Sequence, residues 1–491
     1  MKHVKVPKQI NQLQHSLENG TLKVNELKQS FQKHSDINFI IKENRNICAF
    51  YCAGMIDRSE LNEYLNVAFE YATRHYEKME NCTECKGAHE EEEPTINSVC
   101  TISEMVEALF SGYVLLYTSN QNYFYSLDIS KVPQRTPEQS TTDVALKGPK
   151  DAFTEDININ ISLIRKRIKS LDLLNETFTL GTITKTKVSM LYLDKKINEQ
   201  IVKEVIHRLE NFKGVSLISG GQLEQWISDK TLSLFPLFDY ITRADFVVEC
   251  LLKGRFVLVV DGSPIVIIGP ANLFLLLKSP EDLHFPYYFT AFQRILRVFG
   301  IIIAIFLPAF WVAVSSVNLS QIPFAFLMTV VLSRAGVPLP LAVETLLVLG
   351  LFELLREAGV RMPAAVGQTV SIVGGLIIGD AAIRAGITSP ALVVIIALTA
   401  VCTYTLVNQS LTGTVSLLRV FMIIPSAFLG VFGFFIGVIA IAIYLCQLES
   451  YKMNYLEPVV TLKIKDLLAT LLINPFKTKV LTWNELTKRR E

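Results

Sequence analysis

The chain has 491 residues, a formal net charge of +1, and 19% charged against 50% hydrophobic residues. That length allows two to four domains; a net charge of +1 says nothing about nucleic acid and implies no basic face, and no nucleic-acid partner is expected. Of the eight cysteines, two lie in or near apolar spans, which argues against a secreted disulfide framework.

The start, MKHVKVPKQINQLQ, is polar and lacks an apolar h-region, so no secretory signal is expected and the N-terminal region is expected on the cytoplasmic side. Residues 1–35 place apolar residues at helical spacing and predict a helical lead-in. From 36 to 130 short β-branched and aromatic runs alternate with helical patterns. They are Ile37–Lys42, Ile47–Ala53, a helix over 58–76, a helix over 101–110, Tyr113–Tyr117 and Tyr123–Asp128. That alternation predicts an α/β subdomain. Within it, Cys82-Thr-Glu-Cys85 with His89 and four glutamates resembles half of a metal or redox site. A second CxxC is absent, so a solvated acidic loop is the plainer reading.

Residues 131–155 are rich in Pro, Thr and charge and predict a linker. A second α/β subdomain is expected over 156–290. Its elements are a helix at 157–169, a strand at 175–193, a helix at 197–211, a strand at 215–219, a helix at 240–253, and strands at 255–260 and 264–268. Gly220-Gly221 is read as a turn. Asp261-Gly262 between two apolar runs predicts a hairpin. No phosphate-binding loop, HExxH or Gly-x-Ser-x-Gly appears, so no enzymatic activity, cofactor or metal is expected.

The stretch 297–447 is of another kind. It holds only ten of the chain's 93 charged side chains: Arg297, Arg334, Glu344, Glu353, Arg356, Glu357, Arg361, Asp380, Arg384 and Arg419. A spanning helix needs about 20 apolar residues, and here there is room for several. The fold class expected is therefore an α/β soluble N-terminal region of two subdomains, followed by an all-α polytopic membrane domain over 291–448. Its segments are 297–317, 323–332, 339–358, 366–384, 390–409 and 420–447, with at most four confident crossings. Positive charges from Lys452 to Arg490 place the 449–491 tail inside, which requires an even number of crossings.

Ionisable groups in spans are costly unless paired or wet, which makes each a functional candidate. Glu353, Arg356 and Glu357 share a helical face, and Asp380 and Arg384 are spaced i, i+4. Locally neutralised helix ends are the simpler account of both sets. The 366–384 segment carries two stripes. Gln368, Ser371, Gly375, Gly379 and Ala382 are small or polar; Val366, Val370, Val373, Ile377, Asp380 and Arg384 form the other. Either the small stripe packs against a neighbouring helix, or several copies ring a pore with the valines as an apolar constriction. Secondary transport and a non-conducting membrane scaffold are the competing classes.

Several motifs then bear on the choice. They are Gly148–Asp156 with Asn160–Lys169, Thr242-Arg243, Leu252–Pro264, Ser279–Asp282, Phe352–Pro363 and Gly367–Gly374. In this order they resemble the spore germination receptor A subunits; a paralogous A-like protein of the dipicolinic-acid operon is also similar. The chain departs at Lys150, where the family has arginine, and at Ala152, where it has glycine. The resemblance implies the inner membrane of the endospore, a transporter-like B subunit that binds nutrient, and a lipoprotein C subunit as partners. It also implies an oligomeric ion channel, with a pentamer as the expected count. Under it the pore reading of 366–384 takes precedence. Gln368, Thr369, Val370, Ser371, Val373 and Ile377 become pore-lining candidates, with Val370 and Val373 as the constriction.

Overall fold

The computed structural model describes residues 13–17, 19, 22–42, 47–79, 96–99, 101–118, 123–131, 147–362, 379–457 and 459. Among these, contacts group the chain into two units, one of residues 13–231 and 240–270, the other of 232–239 and 271–459.

The first unit contains two five-stranded sheets. Strands β1 (Ile37–Lys42), β2 (Ile47–Cys52), β3 (Ile96–Val99), β4 (Tyr113–Thr118) and β5 (Tyr123–Asp128) form the order β1-β2-β4-β5-β3 with antiparallel pairing. The sheet is covered on both faces, and the period of two along each strand divides its side chains between two cores. Ile47, Ala49, Val114, Leu116 and Leu127 pack under helix α2 (Arg58–Met79) against Leu61, Ala68 and Phe69. Phe50, Leu115, Tyr117 and Phe124 point the other way. They meet Leu27 and Phe31 at helix α1 (Val24–Ser30) and Ile102, Met105, Val106 and Leu109 of helix α3 (Ile102–Leu109). Thr101 starts α3 by accepting a hydrogen bond from Glu104 N.

The second sheet runs β6-β7-β9-β10-β8. Its strands are β6 (Leu173–Leu180), β7 (Thr186–Leu193), β8 (Asp239–Ile241), β9 (Phe256–Val260) and β10 (Val266–Gly269). Helices α4 (Ile157–Arg165) and α7 (Ala244–Leu252) lie against β7 and β9. Helix α5 (Glu199–Glu210) meets β6, and α6 (Gly220–Ile227) meets β10. All of β9 is buried, as a strand covered on both faces must be. The expected hairpin at Asp261-Gly262 joins β9 to β10, with Gly262 at φ 79°. The single strand expected over 175–193 is instead a hairpin, since 181–185 form a turn between β6 and β7. The expected strand at 215–219 is irregular. Gly220-Gly221, expected as a turn, opens α6 behind the Ser219 cap.

One polar cluster ties the two sheets together inside this unit. Arg165, at the end of α4, is fully buried, with Nε 2.7 Å and Nη2 3.1 Å from the Asp36 carboxylate. Its Nη1 donates to Leu173 O at 2.8 Å, its Nη2 lies 3.1 Å from His34 Nδ1, and its guanidinium stacks 4.5 Å from the Phe110 ring. Asn175 Nδ2 donates to Asp36 at 3.2 Å. Burial would raise the Asp36 carboxyl, but the Arg165 charge and hydrogen bonds hold it below the usual carboxylate range. His34 is pushed down to about 4 by burial and by Arg165, so it is neutral at pH 7. Every charge in this junction has a partner, which is the condition for keeping ions in a core.

The second unit is helical. Helix α8 (Tyr287–Val312) runs on through a π turn to Val317. It is followed by α9 (Phe324–Ser333), α10 (Leu341–Arg361), helical residues 379–384, α11 (Pro390–Tyr404) and α12 (Gln409–Gln447). Among the described residues two helices are long and apolar enough to cross a membrane, Tyr287–Val317 and Gln409–Gln447. At 15 residues α11 reaches only about 22 Å, and the ten of α9 about 15 Å.

The expected single span over 420–447 needs correction. At Gly430 the backbone leaves the helical region (φ 61°, ψ −138°), and the chain folds back on itself. In a straight helix Met422 and Gly437 would stand about 22 Å apart. Here a Cβ on Gly437 would lie 2.6 Å from Met422 Sδ, and one on Gly433 would overlap the Pro425 carbonyl. Further along, Thr414 Oγ1 donates to Leu234 O at 2.5 Å, while Tyr444 Oη accepts from Leu234 N at 2.9 Å. Helix α12 is thus a tight hairpin, and Asn318 Oδ1 caps its tip by accepting from Val431 N at 2.9 Å.

Replacing Gly437 by Val should force the hairpin arms apart and destabilise the full chain by about 1–3 kcal/mol. Gly413→Ala, where an added Cβ meets nothing within 4 Å, should be neutral or better. Thermal midpoints in detergent check this, and equal effects at the two sites would count against the hairpin.

Candidate functional site

The helical unit is where ionisable side chains meet an apolar surround, and each finds a partner within the same copy. Arg419, on the first arm of α12, is buried. Its Nε donates to Ala304 O at 2.8 Å and its Nη2 to Thr403 Oγ1 at 2.5 Å. The Ala304 carbonyl is available for a specific reason. Pro308 stands four residues on in α8 and has no N–H to give it. Arg419 thus replaces a helical hydrogen bond that proline removes, and it bridges α8, α11 and α12.

Its counter-charge is Glu353 on α10, with Arg419 Nη1 3.8 Å from Oε1. Ser416, one turn before Arg419, donates to that Oε1 at 2.6 Å and accepts from Arg356 Nη1 at 3.2 Å. Arg356 Nη2 lies 2.7 Å from Glu353 Oε2. Glu353 and Arg356 therefore tie α10 to α12, beyond neutralising each other along one helix. Glu357 turns the other way and pairs with Arg361 at 2.6 Å on an exposed face. Asp380 and Arg384 pair at 2.8 Å, again exposed.

Two further clusters carried no assignment from sequence. Asp282 is buried at the start of the helical unit and binds Arg294 Nε at 2.9 Å and Arg297 Nη1 at 3.0 Å. Arg297 Nη1 also donates to Leu277 O at 3.1 Å. Asp282 thereby fixes the first turns of α8 to the segment that precedes it. The second cluster is built on Glu344, in the first turn of α10 and fully buried, with Arg334 Nη2 3.6 Å away. With these pairs in place, each of the ten charged side chains between 297 and 447 has an ion-pair partner in the same copy, Arg356 and Arg419 sharing Glu353.

The pore-lining candidates Gln368, Thr369, Val370, Ser371, Val373 and Ile377 lie outside the described residues, as do Cys82, Cys85 and His89. Sequence reasoning missed Arg419, and one signal could have found it. A proline inside an apolar helix leaves a carbonyl at i−4, and a lone arginine in another span is the strongest donor available for it. Among the described residues no group of three or more His, Cys, Asp or Glu is placed to hold a metal.

A family model described as the Bacillus/Clostridium GerA spore germination protein matches residues 25–482. The chain belongs to the GerA family, that of the spore germination receptor A subunits. It is 44% identical to spore germination protein XA of Bacillus anthracis over 362 residues, 74% of this chain and 73% of that one. With spore germination protein KA of Bacillus subtilis (strain 168) the identity is 33% over 419 residues, 85% of this chain and 76% of the relative. The crystal structure of the N-terminal domain of the A subunit of the Bacillus megaterium spore germinant receptor GerK3 is 26% identical. It covers 51% of this chain and 95% of that one, with a TM-score of 0.36.

The motifs that carry the GerA resemblance acquire structural roles. Asn160 clamps the Thr154 backbone, with Oδ1 accepting from its N–H at 2.7 Å and Nδ2 donating to its carbonyl at 2.6 Å. Arg167 Nη2 is 2.8 and 2.7 Å from the two Asp151 oxygens, Arg165 is the junction arginine, and Asp282 anchors α8. In each case the side chain holds backbone or a helix end in place.

Arg419→Leu should cost about 1–3 kcal/mol for each buried acceptor left without a donor. Pro308→Ala in the same chain returns an N–H to Ala304 O, so the double variant should be less destabilised than Arg419→Leu alone. Thermal midpoints of the full chain in detergent measure the coupling. Strict additivity of the two substitutions would contradict the role given to Ala304.

Proposed function

We propose that this chain is the A subunit of a nutrient-sensing spore germination receptor, in which several copies ring an ion-conducting path lined by 366–384. The reading rests on membership of the GerA family and, for conduction, on one observation above the others. Each of the ten charged side chains of 297–447 has an ion-pair partner in the same copy, although Arg356 and Arg419 share Glu353 and Arg294 and Arg297 share Asp282. The ion path is assigned to the space between copies, where the stripe Val366, Val370, Val373 and Ile377 read from the sequence would form an apolar constriction that opens by hydration.

In this reading the receptor sits in the inner membrane of the spore, with the α/β region and the tail on the cytoplasmic side. The apolar helices Tyr287–Val317 and Gln409–Gln447 fit a membrane location. The hairpin in α12 supports the orientation, because a fold-back returns the chain to the side from which it entered. A transporter-like B subunit and a lipoprotein C subunit complete the receptor. Nutrient bound to the B subunit favours the open ring only in so far as it binds that arrangement more tightly. Monovalent cations then leave the spore core.

Val373→Ala should widen the constriction and raise potassium efflux at least tenfold from liposomes holding the purified full-length protein, with no nutrient present. Efflux equal to wild type from an oligomer of unchanged size would place the constriction elsewhere. Efflux from no variant at all would favour a non-conducting scaffold.

A further inference from the structure

Glu344 is the most completely buried acid of the helical unit, and its two oxygens are used unequally. Oε1 accepts three hydrogen bonds, from Thr388 Oγ1 at 3.1 Å, Ser389 N at 2.7 Å and Ser389 Oγ at 2.9 Å. Those residues precede α11, and Ser389 occupies its N-cap position without using its own side chain as the cap. The capping anion comes from another helix, where a carboxylate gains from the unpaired N–H groups and the positive end of the dipole. Oε2 is buried with no hydrogen-bond partner and faces Arg334, whose Nη2 is 3.6 Å away and also donates to Leu339 O at 3.3 Å. One carboxylate therefore joins the end of α9, the start of α10 and the start of α11. On the same side of α10, Val348, Leu351, Phe352 and Leu355 face Gly379, Ala382 and Val393 across a small apolar cavity.

We propose that Glu344 is a positioning residue which, through Thr388 and Ser389, holds the chain just beyond the pore-lining candidates against α10 and so keeps the resting ring shut. The proposal deepens the channel reading and rests on it. The chemistry makes Glu344 suited to the task. Thr388 and Ser389 follow Ile377 by eleven and twelve residues, with helical residues 379–384 and a left-handed Gly386 (φ 68°) between. A displacement of 388–389 from α10 would leave the Glu344 carboxyl buried beside Arg334 with three donors gone, so the docked arrangement is strongly preferred.

The test uses the purified full-length protein and two readouts, amide hydrogen exchange in detergent and potassium efflux from liposomes. Glu344→Ala should speed exchange in peptides covering 386–389 at least tenfold and raise efflux several-fold. The near-isosteric pair Thr388→Val with Ser389→Ala, which removes two of the three donors and keeps Ser389 N–H, should speed exchange several-fold and raise efflux by less. Glu344→Gln keeps an acceptor for Ser389 N but loses the charge opposite Arg334, so it should fall between Ala and wild type. If Glu344→Ala does not assemble, the Thr388/Ser389 variant, which leaves the carboxylate and Arg334 in place, decides alone. Unchanged exchange at 386–389 would overturn the clasp whatever the efflux. Faster exchange with wild-type efflux, in a preparation where Val373→Ala conducts, would overturn its role in closure alone. Faster exchange with no efflux from Val373→Ala would instead overturn the channel reading on which it rests.

Discussion

A proline in one apolar helix and an arginine in another define the helical unit. Pro308 strips the Ala304 carbonyl of its intrahelical donor, and Arg419 supplies the missing hydrogen bond from α12. In an apolar surround neither group is tolerable alone, since an orphan carbonyl and an unpaired guanidinium both cost several kcal/mol. Together they fix how α8, α11 and the first arm of α12 pack. Glu353 and Ser416 then bring α10 to the same point.

That arrangement has a consequence for function. Charges in a membrane domain mark ion paths when they face water, but here Arg419, Glu353, Arg356 and Glu344 hold helices to one another within a copy, while Glu357–Arg361 and Asp380–Arg384 pair along exposed helix faces. The soluble unit follows the same logic with a different solvent. Arg165 and Asp36 are buried, each with several partners, and they couple two sheets that also share the backbone hydrogen bonds Ser35 N to Asn175 O and Asn175 N to Lys33 O.

The soluble strands were legible in the sequence because runs such as Tyr113–Thr118 and Phe256–Val260 are short, β-branched or aromatic, and bounded by turn residues. Strand β3 was not, since Ile-Asn-Ser-Val is short and half exposed. The β6–β7 turn was hidden because Thr182, Ile183 and Thr184 have the composition of a strand. Hydropathy identified the apolar region but is blind to direction, so a hairpin at Gly430 read as one long span. Gly430, Gly433 and Gly437 were the clue, as they allow the arms to touch. Arg419, Glu344 and Asp282 were missed as sites because their partners are backbone groups or lie far away in sequence, which no local spacing rule can reach.

In the proposed channel, ions pass between several copies and not through one. The most direct measurement is the mass and projected shape of the full-length protein purified in detergent. The account predicts a ring of several copies, with a central opening lined by residues 366–384. A particle holding a single copy, with no opening, would contradict it.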